Sequence, residues 1–274
     1  MPRAVVSRRS TGGSSAVRRW LWGGALGVAL LTGSLSVSGS NRAITQATPP
    51  LPCARQIAQG TGEPPAQADV LQAIASAQVV YLAETHTDEA DHAAQLAIVQ
   101  ALREQGDIAI ALEMFQRPFQ PALEAYLAGR LTEEALVAES EYDTRWGYDW
   151  EFYAPILRYA KANQIPLIAL NTPAEVTRQV ATAGLESLTG ELLEYIPPVA
   201  DINTDDQAYR DWISEIFSSH GGAGHSPELD NFFAAQVLWD ETMADGIARQ
   251  LAADPDRQVI VLVGEGHIAY DYGI

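Results

Sequence analysis

The sequence predicts an α/β fold: a mainly parallel β-sheet flanked by helices, with a smaller helical cap or subdomain. Four short apolar runs, bounded by small or turn residues, are typical of buried strands and are predicted to end at residues 83, 112, 170 and 263. Helical patterns fill the intervals between them, which indicates right-handed βαβ crossovers. In such a fold, ligands bind at the carboxyl ends of the strands.

The N-terminal region is predicted to contain an export signal and a linker. Residues 1–40 combine a basic stretch, an apolar run and small residues, as in a secretory signal peptide. An uncleaved N-terminal anchor is the alternative, although the run is short for a membrane span. Residues 41–68, rich in Pro, Thr, Gln and Gly, are predicted to be a flexible linker. In either case residues 69–274 form an exported domain, either periplasmic or associated with a membrane through the N-terminal segment alone.

The helices between the strands are predicted from their caps. The first is predicted to begin near Thr87 as N-cap, with Asp88 and Glu89 in the acidic first turn that helices favour. After the third strand, Thr172 and Pro173 provide a cap followed by a proline at the first helical position. Each helix therefore starts directly at the carboxyl edge of the sheet.

The other helical segments are predicted from composition and spacing. Residues 118–142 and 184–222 are more polar than core helices and suit a helical cap over the crevice. The long segment 227–253 places Gln236 and Asp240 on one side, at i and i+4. Ordinary packing would leave Gln236 in solvent, whereas a functional role would turn both side chains into the crevice.

The charge of the folded part argues against a nucleic-acid partner. Residues 1–43 hold six of the 17 basic residues and no acid, which leaves 11 basic residues against 35 acids, a net charge of about −24. A nucleic-acid-binding surface needs clustered Lys and Arg. Cys53 is the single cysteine, so an intramolecular disulfide is excluded. The residues before it lack the small residues of a lipobox, which argues against a lipid anchor.

Histidines and carboxylates gather just past the strand ends. In segments 83–86 and 264–267 an acidic residue stands two positions before a histidine, and another glutamate follows the second strand. Imidazole nitrogens and carboxylate oxygens suit a divalent metal such as Zn, Mn or Fe, and without metal a histidine could activate water as general base. The structural alternative is that the histidines bond to neighbouring turns. The candidate catalytic residues are Glu84, His86, Glu113, Glu265 and His267, and the candidate metal ligands are Glu84, His86, Glu113 and His267.

The two histidine segments resemble the twin Gly-x-x-His signature of the TIKI superfamily. Within it, the chain is most similar to the ChaN-like haem-binding uptake proteins, and the similarity runs from about residue 64 to the end. Ala83 stands where the signature has glycine, and the chain ends at Ile274, earlier than this resemblance leads us to expect. The similarity is also carried, in the same order along the chain, by segments 110–115, 148–157 and 235–244.

The resemblance implies an exported protein that binds haem and takes part in haem or iron uptake or handling. In this family a tyrosine ligates the iron and a histidine of a partner subunit contacts the propionates, which implies a homodimer on haem binding. Tyr270 and Tyr272 lie nearest the second motif, with Tyr148 and Tyr153 as alternatives. The other residues implied at the haem site are His86, His267, Arg145, Gln236 and Asp240.

Two interpretations of function remain open from the sequence. The first is a haem-binding protein. The second is a metal-dependent, peptidase-like hydrolase that uses the twin histidine motifs. The resemblance to the TIKI proteins implies this use of the motifs. Arg145 could pair with a carboxylate or propionate, or stack on Trp146. His220 and His225 flank a glycine-rich loop that we interpret as a connection ahead of the long helix.

Overall fold

A four-stranded parallel sheet with helices on both faces forms the centre of the protein. The computed structural model describes residues 67–219 and 227–274. The order across the sheet is β1-β4-β2-β3, and each neighbouring pair is parallel. The predicted α/β fold is therefore confirmed. The strands are β1 (Val79–Glu84), β2 (Ile108–Gln116), β3 (Leu167–Asn171) and β4 (Gln258–Gly264).

Helices make the connections between the strands. Among the residues that the structure describes, no helix is long and apolar enough to cross a membrane. The α-helices are α1 (Gln67–Ala75), α2 (Glu89–Arg103), α3 (Gln120–Leu127), α4 (Glu133–Glu139), α5 (Tyr142–Arg145), α6 (Trp150–Ala162), α7 (Ala174–Ala183), α8 (Gln207–Ser219) and α9 (Pro227–Ala253). Short 3₁₀ turns span Arg117–Phe119, Leu185–Ser187, Gly190–Tyr195, Val199–Asp201, Glu265–His267 and Ala269–Asp271.

The two faces of the sheet bury different side chains, because successive residues of a strand point to opposite sides. On one face, Leu82, Leu112 and Leu262 pack with apolar residues of α2, α3 and α6. On the other face, Val261 packs in a cluster with Met243 of α9. Both faces are thus covered, which explains why the strands are almost uniformly apolar.

Strand β2 is longer than its apolar run predicts. It continues past the predicted end at residue 112 to Gln116, and all nine of its residues are buried. Its pairing with β3 shifts in register between Leu112 and Gln116. The polar side chains in this extension are retained because each finds a partner: Glu113 accepts from the backbone of Gly264, and Gln116 accepts from Arg145. The extension carries Glu113 into the middle of the carboxyl edge.

Two predicted helix starts are shifted by one residue. The N-cap of α2 is Asp88 rather than Thr87, because the Asp88 carboxylate accepts a hydrogen bond from the Ala90 backbone N–H at 2.9 Å. At α7, the N-cap position is Pro173, with no side-chain cap, and the helix begins at Ala174. The first turn of α7 therefore lacks the threonine cap that the sequence predicts.

The long helix α9 spans Pro227–Ala253, as its sequence pattern predicts. It lies against β3 and α7, and Gly246 allows this close packing. A Cβ atom at residue 246 would lie 2.8 Å from a methyl carbon of Leu170 and 3.1 Å from the Arg117 guanidinium. Because residue 246 has no side chain, α9 can pack directly against β3.

The two segments assigned to a cap occupy different places. Residues 118–142 include α3 and α4, whose Leu123 and Leu136 are buried in the larger core beside the sheet. Residues 184–222 include α8, which packs with α7 and α9 around Ile213. The second segment, through α8, reaches the carboxyl edge of the sheet.

Candidate functional site

A cavity of about 220 Å³ lies at the carboxyl edge of the sheet. Strand ends supply most of its polar wall, and helices α8 and α9 supply most of its apolar wall. The polar residues include His86, Glu113, Gln116, Arg145, Asn171, Thr172, Gln236 and His267, and the apolar ones include Trp146, Tyr148, Trp212, Ile213, Ile216, Phe232 and Trp239.

Glu84, the last residue of β1, holds His86 in place. Glu84 is 1% exposed, and its Oε1 accepts hydrogen bonds from His86 Nδ1 at 2.9 Å and from the Tyr153 hydroxyl at 2.5 Å. Its Oε2 accepts from Gln95 Nε2 at 2.9 Å. Because a carboxylate only accepts, His86 carries a proton on Nδ1 and directs Nε2 away from Glu84.

The His86 ring packs between aromatic side chains and the backbone of Gly264. The ring centroid is 4.8 Å from that of Trp146 and 4.6 Å from that of Tyr148. A Cβ atom on Gly264 would lie only 2.9 Å from His86 Nε2, so residue 264 must be glycine for this contact. No group within residues 67–219 or 227–274 hydrogen bonds to Nε2. The His86 side chain is one of the groups that line the cavity.

Unlike His86, His267 has a carboxylate within hydrogen-bonding distance of each of its ring nitrogens. Its Nδ1 donates to Asp240 Oδ1 at 2.5 Å, and its Nε2 lies 3.1 Å from Glu113 Oε1. The other oxygen of Glu113 accepts the Gly264 backbone N–H at 2.6 Å. Asp240 also accepts a hydrogen bond from the hydroxyl of Tyr209 on α8. The result is a buried chain of alternating donors and acceptors.

The charges of this chain shift the pKa values of its members. Burial opposes the charged form of His267, but the negative charges of Glu113 and Asp240 outweigh it and raise the pKa of His267 to about 10. Burial also opposes ionised Glu113, but the charge and hydrogen bond of His267 hold the pKa of Glu113 below 4.5. For His86, burial is outweighed by the hydrogen bond to Glu84 and the charge of Glu113, so its pKa is raised above 6.5. His267 is therefore an imidazolium at neutral pH.

A comparison with protein families identifies the chain. The model of the family described as haem-binding uptake, Tiki superfamily, ChaN matches residues 70–274. This chain belongs to the ChaN family. The match covers about three quarters of the chain and includes both histidine segments, so the resemblance that the sequence motifs indicate is confirmed.

Two relatives show how far the similarity extends. The solved structure of ChaN of Campylobacter jejuni, described for its cofacial haem binding, superposes with a TM-score of 0.57 and 20% identity. The match covers 76% of this chain and 78% of that one, and it shows a shared fold. The chloroplastic protein RETICULATA-RELATED 5 of Arabidopsis thaliana is 28% identical over 222 residues, 73% of this chain and 29% of that protein. This ChaN-family chain thus spans less than a third of its plant relative.

The fold brings most of the predicted site residues of this ChaN-family chain together. Glu84, His86, Glu113 and His267 meet at one edge of the sheet, because β1 and β4 are neighbours and β2 lies on the other side of β4. Glu265 differs: it begins the 3₁₀ turn after β4, is half-buried, and is not among the residues lining the cavity.

The predicted metal ligands make other contacts. Within the described ranges, no group of three or more His, Cys, Asp or Glu side chains is arranged to hold a metal ion. Both ring nitrogens of His267 face carboxylates, and the Glu84 carboxylate accepts from His86, Tyr153 and Gln95. These groups satisfy one another by hydrogen bonds and ion pairs.

The four candidate tyrosines occupy different environments. Tyr148 lines the cavity, and burial together with the charge of Glu113 raises its pKa. Tyr153 is fully buried and donates to Glu84. Tyr270 is 69% exposed, and Tyr272 packs 5.7 Å from the Tyr209 ring; neither is among the cavity residues. The structure therefore places Tyr148 at the site rather than the two tyrosines nearest the second motif.

Arg145 lies at the cavity wall and pairs with carboxylates of this chain. Its Nε donates to Glu141 at 2.7 Å and its Nη1 to Glu175 at 3.0 Å. Of the two alternatives from the sequence, pairing with a carboxylate is the one observed, and the aromatic ring under the guanidinium is that of Phe119, at 5.1 Å.

The two candidates on α9 both face the site. Gln236 is buried, lines the cavity and has its Nε2 3.4 Å from His267 Nδ1, so the interpretation that leaves it in solvent is wrong. Asp240 is 1% exposed and lies behind the His267 ring. Both positions follow from the i, i+4 spacing that the sequence shows.

Several predicted features lie outside the described residues. They are the targeting segment 1–40, the linker up to residue 66 with Cys53, and the loop containing His220 and His225.

Three buried polar residues near the site are not predicted from the sequence. His92 and Gln95 lie on the buried face of α2, where Gln95 donates to Glu84 and His92 donates to the backbone oxygen of His86. Their spacing with Val99 and Leu102 on one apolar face is a signal that could have identified them, since polar residues on a buried face need partners. Tyr209, which donates to Asp240, has no comparable local signal.

Proposed function

We propose that this protein binds haem in the cavity at the carboxyl edge of its sheet and serves in haem or iron uptake or handling. Membership of the haem-binding ChaN family supports haem as the ligand. Haem needs a side chain that can ligate iron and an apolar slot for the macrocycle. The cavity offers both kinds of group in adjoining walls.

The observation that carries the proposal is the geometry of His86. Its Nδ1 donates to the buried Glu84 carboxylate, while Nε2 lacks a hydrogen-bond partner among the described residues. A histidine that ligates a metal typically donates its other N–H to a carboxylate or carbonyl, which fixes the ring and increases its basicity. We therefore infer that Nε2 of His86 ligates the haem iron, which would replace the Nε2 proton.

The remaining walls suit the macrocycle and its carboxylates. Trp146 and Trp212 present aromatic surface to the cavity, and Arg145 adds a cation that can contact a propionate. At about 220 Å³ the cavity is smaller than the pockets that enclose ligands of this size. One chain would therefore cover only part of a haem, which supports a homodimer formed on haem binding.

Haemin titration of the full-length protein, followed by the Soret band, tests this proposal. We expect a shifted Soret band with the native protein and its loss or displacement in His86→Ala. Glu84→Gln keeps His86 but removes the carboxylate partner, and we expect affinity to fall by about 10- to 100-fold. The absence of any Soret shift with the native protein would overturn haem binding.

Tyrosine variants provide the controls for the iron ligand. Tyr270→Phe and Tyr272→Phe should leave the Soret band unchanged, because neither residue lines the cavity. Tyr148→Phe should also keep the band, since we assign the iron to the neighbouring His86. A spectrum that changes in Tyr148→Phe and not in His86→Ala would reassign the ligand to the tyrosine.

Action outside the cytoplasm is the second part of the proposal. The basic stretch and apolar run of residues 1–40 support export to the periplasm, with or without retention at a membrane. A fusion of residues 1–43 to a phosphatase that is active only after export should give active enzyme. An inactive fusion that accumulates in the cytoplasm would count against export.

A metal-dependent hydrolase gains no comparable support. The carboxylates that would share a metal or act as general base are engaged by Tyr153, Gln95 and the backbone of Gly264, as well as by the two histidines.

A further inference from the structure

One end of the cavity is built around the start of helix α7. β3 ends at Asn171, and α7 begins at Ala174 without a side-chain cap at Pro173. The first backbone N–H groups of a helix have no partner inside the helix and carry a partial positive charge. At α7 the Ala174 N–H donates to Gln116 Oε1, and those of Val176 and Thr177 donate to the Pro173 backbone oxygen. What the start of α7 adds to this end of the cavity is therefore its partial positive charge.

The buried hydroxyl of Thr172 is a second, independent observation that points to a ligand at this end of the cavity. It is 1% exposed, lines the cavity, and its Oγ1 has no hydrogen-bond partner among the described residues. Buried hydroxyl groups are almost always paired, because an unpaired one is destabilising. An oxygen atom of a bound ligand would satisfy this hydroxyl.

Arg145 is fixed beside the same helix start. Its Nη1 donates to Gln116 Oε1 at 2.8 Å, and that oxygen also accepts the Ala174 backbone N–H at 3.3 Å. The same Nη1 donates to Glu175, a half-exposed carboxylate in the first turn of α7. Glu175 is thus an anion of the chain itself, at the place where a ligand anion would bind.

We propose that Arg145, Thr172 and the first turn of α7, together the α7 subsite, bind a carboxylate group of the ligand, which replaces Glu175 on Arg145. The guanidinium and the hydroxyl both donate to a carboxylate, and such charge-assisted hydrogen bonds are strong. The Arg145–Glu175 pair is open to solvent, so it is weak enough to be displaced. The carboxylate comes either from a haem propionate, which rests on the proposed function, or from a separate small carboxylate.

Thr172→Val tests the subsite because valine has the shape of threonine without its hydroxyl. In haemin titrations we expect affinity to fall about tenfold, since one hydrogen bond to a charged group is lost. The unliganded protein should unfold at the same or a higher temperature, because the unpaired buried hydroxyl has been removed. A merely structural Thr172 would lower the unfolding temperature when replaced and leave haemin affinity unchanged.

Two further variants sharpen this test. Thr182→Val is the matched control: Thr182 lies on the same helix, is exposed and does not line the cavity, and its hydroxyl donates to the Arg178 backbone oxygen, so haemin affinity should not change. Glu175→Gln removes the competing carboxylate, and haemin affinity should rise about two- to fivefold. Unchanged or weaker binding in Glu175→Gln would contradict the displacement of Glu175.

Haem dimethyl ester and succinate distinguish the two sources of the carboxylate. If a propionate binds, the ester should bind the native protein more weakly than haemin and be insensitive to Thr172→Val. If a separate carboxylate binds, succinate should raise the unfolding temperature of the native protein and not that of Thr172→Val. The subsite is overturned if Thr172→Val alters neither haemin binding nor the succinate effect, whereas haem binding itself would then stand. If haemin never binds but succinate acts through Thr172, the proposed function fails and the subsite stands.

Discussion

Two histidines at the same edge of the sheet are held in opposite ways. His267 donates from both ring nitrogens to carboxylates, which makes it a fixed buried cation. His86 donates from one nitrogen to Glu84, and its other nitrogen has no hydrogen-bond partner among the described residues. The first arrangement stabilises the folded state, and the second leaves a nitrogen for a ligand. Residue-scale changes should therefore separate stability from binding.

The buried pair of His267 and Glu113 should make stability depend on pH in both directions. The folded-state pKa of His267, about 10, exceeds its ordinary 6.5, so its contribution is fully present below pH 6.5 and is lost as pH rises through about 10. The pKa of Glu113 is lowered, so its contribution is present above pH 4.5 and is lost as pH falls through the lowered pKa. Urea unfolding should show the greatest stability at about pH 5–6.5.

The variant His267→Gln provides the comparison for this pH dependence. It removes the titrating ring, so the decline in unfolding free energy between about pH 7 and 10 should become flatter. If native and variant proteins lose stability equally over this range, the assignment of the alkaline decline to His267 is wrong.

Gly264→Ala should disturb the His86 ring. The added Cβ would lie 2.8 Å from a ring carbon of His86 and 2.9 Å from its Nε2, so the ring or the strand must move. We expect a loss of about 1–3 kcal/mol in unfolding free energy, measured by urea denaturation. Gly266→Ala is the matched control, because no atom lies within 4 Å of its Cβ position; its effect should stay within about 0.5 kcal/mol. Equal losses in the two variants would refute this steric explanation.

At the scale of elements, the chain after β2 attaches helix α9 to the sheet. Arg117, directly after β2, pairs with Asp245 at 2.9 Å and donates to backbone oxygens of Tyr195 and Thr242. Gly246 lies in the next position of α9 and allows the guanidinium to approach the helix. This attachment sets where α9 places Gln236 and Asp240 in the site.

Arg117→Ala should therefore destabilise the protein strongly. It removes charged hydrogen bonds to two backbone oxygens, and of the ion-pair partners that the described part of the chain gives Asp245 it leaves Arg249. We therefore expect a loss of about 2 kcal/mol or more in unfolding free energy, measured by thermal or urea unfolding. Arg249→Ala removes the solvent-exposed partner of the same Asp245 and should cost less than about 1 kcal/mol. A larger effect of Arg249→Ala would show that charge balance, rather than helix attachment, dominates.

At the scale of the whole molecule, the strand order determines the site. β4 lies between β1 and β2, so segments about 180 residues apart in the chain become neighbours. Covering both faces of the sheet leaves its carboxyl edge as the place where polar groups can meet a ligand. Among the residues that the structure describes, α7, α8, α9 and the 145–148 segment complete the cavity around the strand ends.

Haem loading should convert monomers into homodimers, because a cavity of about 220 Å³ leaves part of a haem uncovered. Light scattering coupled to size exclusion should give the mass of one chain without haem and of two chains at one haem per chain. His86→Ala, treated with the same haemin, should remain monomeric. A native protein that binds haem stoichiometrically and stays monomeric would contradict this prediction.

The sequence by itself determined the elements and the residue types at their ends. The strands, the long helix 227–253 and the two histidine segments follow from local patterns. Burial on both faces gives each strand an unbroken apolar run, and burial on one face gives the helix a periodic pattern. The helix starts were shifted by one residue at Thr87 and Thr172. At α2 the Asp88 carboxylate provides the cap in place of Thr87, and at α7 Pro173 occupies the N-cap position without a side-chain cap.

Only the tertiary structure decided which groups meet. The extension of β2 to Gln116, the Tyr209–Asp240–His267 chain and the partners of Arg145 all depend on contacts between residues far apart in sequence. Local periodicity gives the face on which a side chain lies, but not which strand becomes its neighbour. The order β1-β4-β2-β3 determines which strand ends are neighbours. It thereby brings the charged groups close enough to shift one another's pKa values and to form hydrogen bonds.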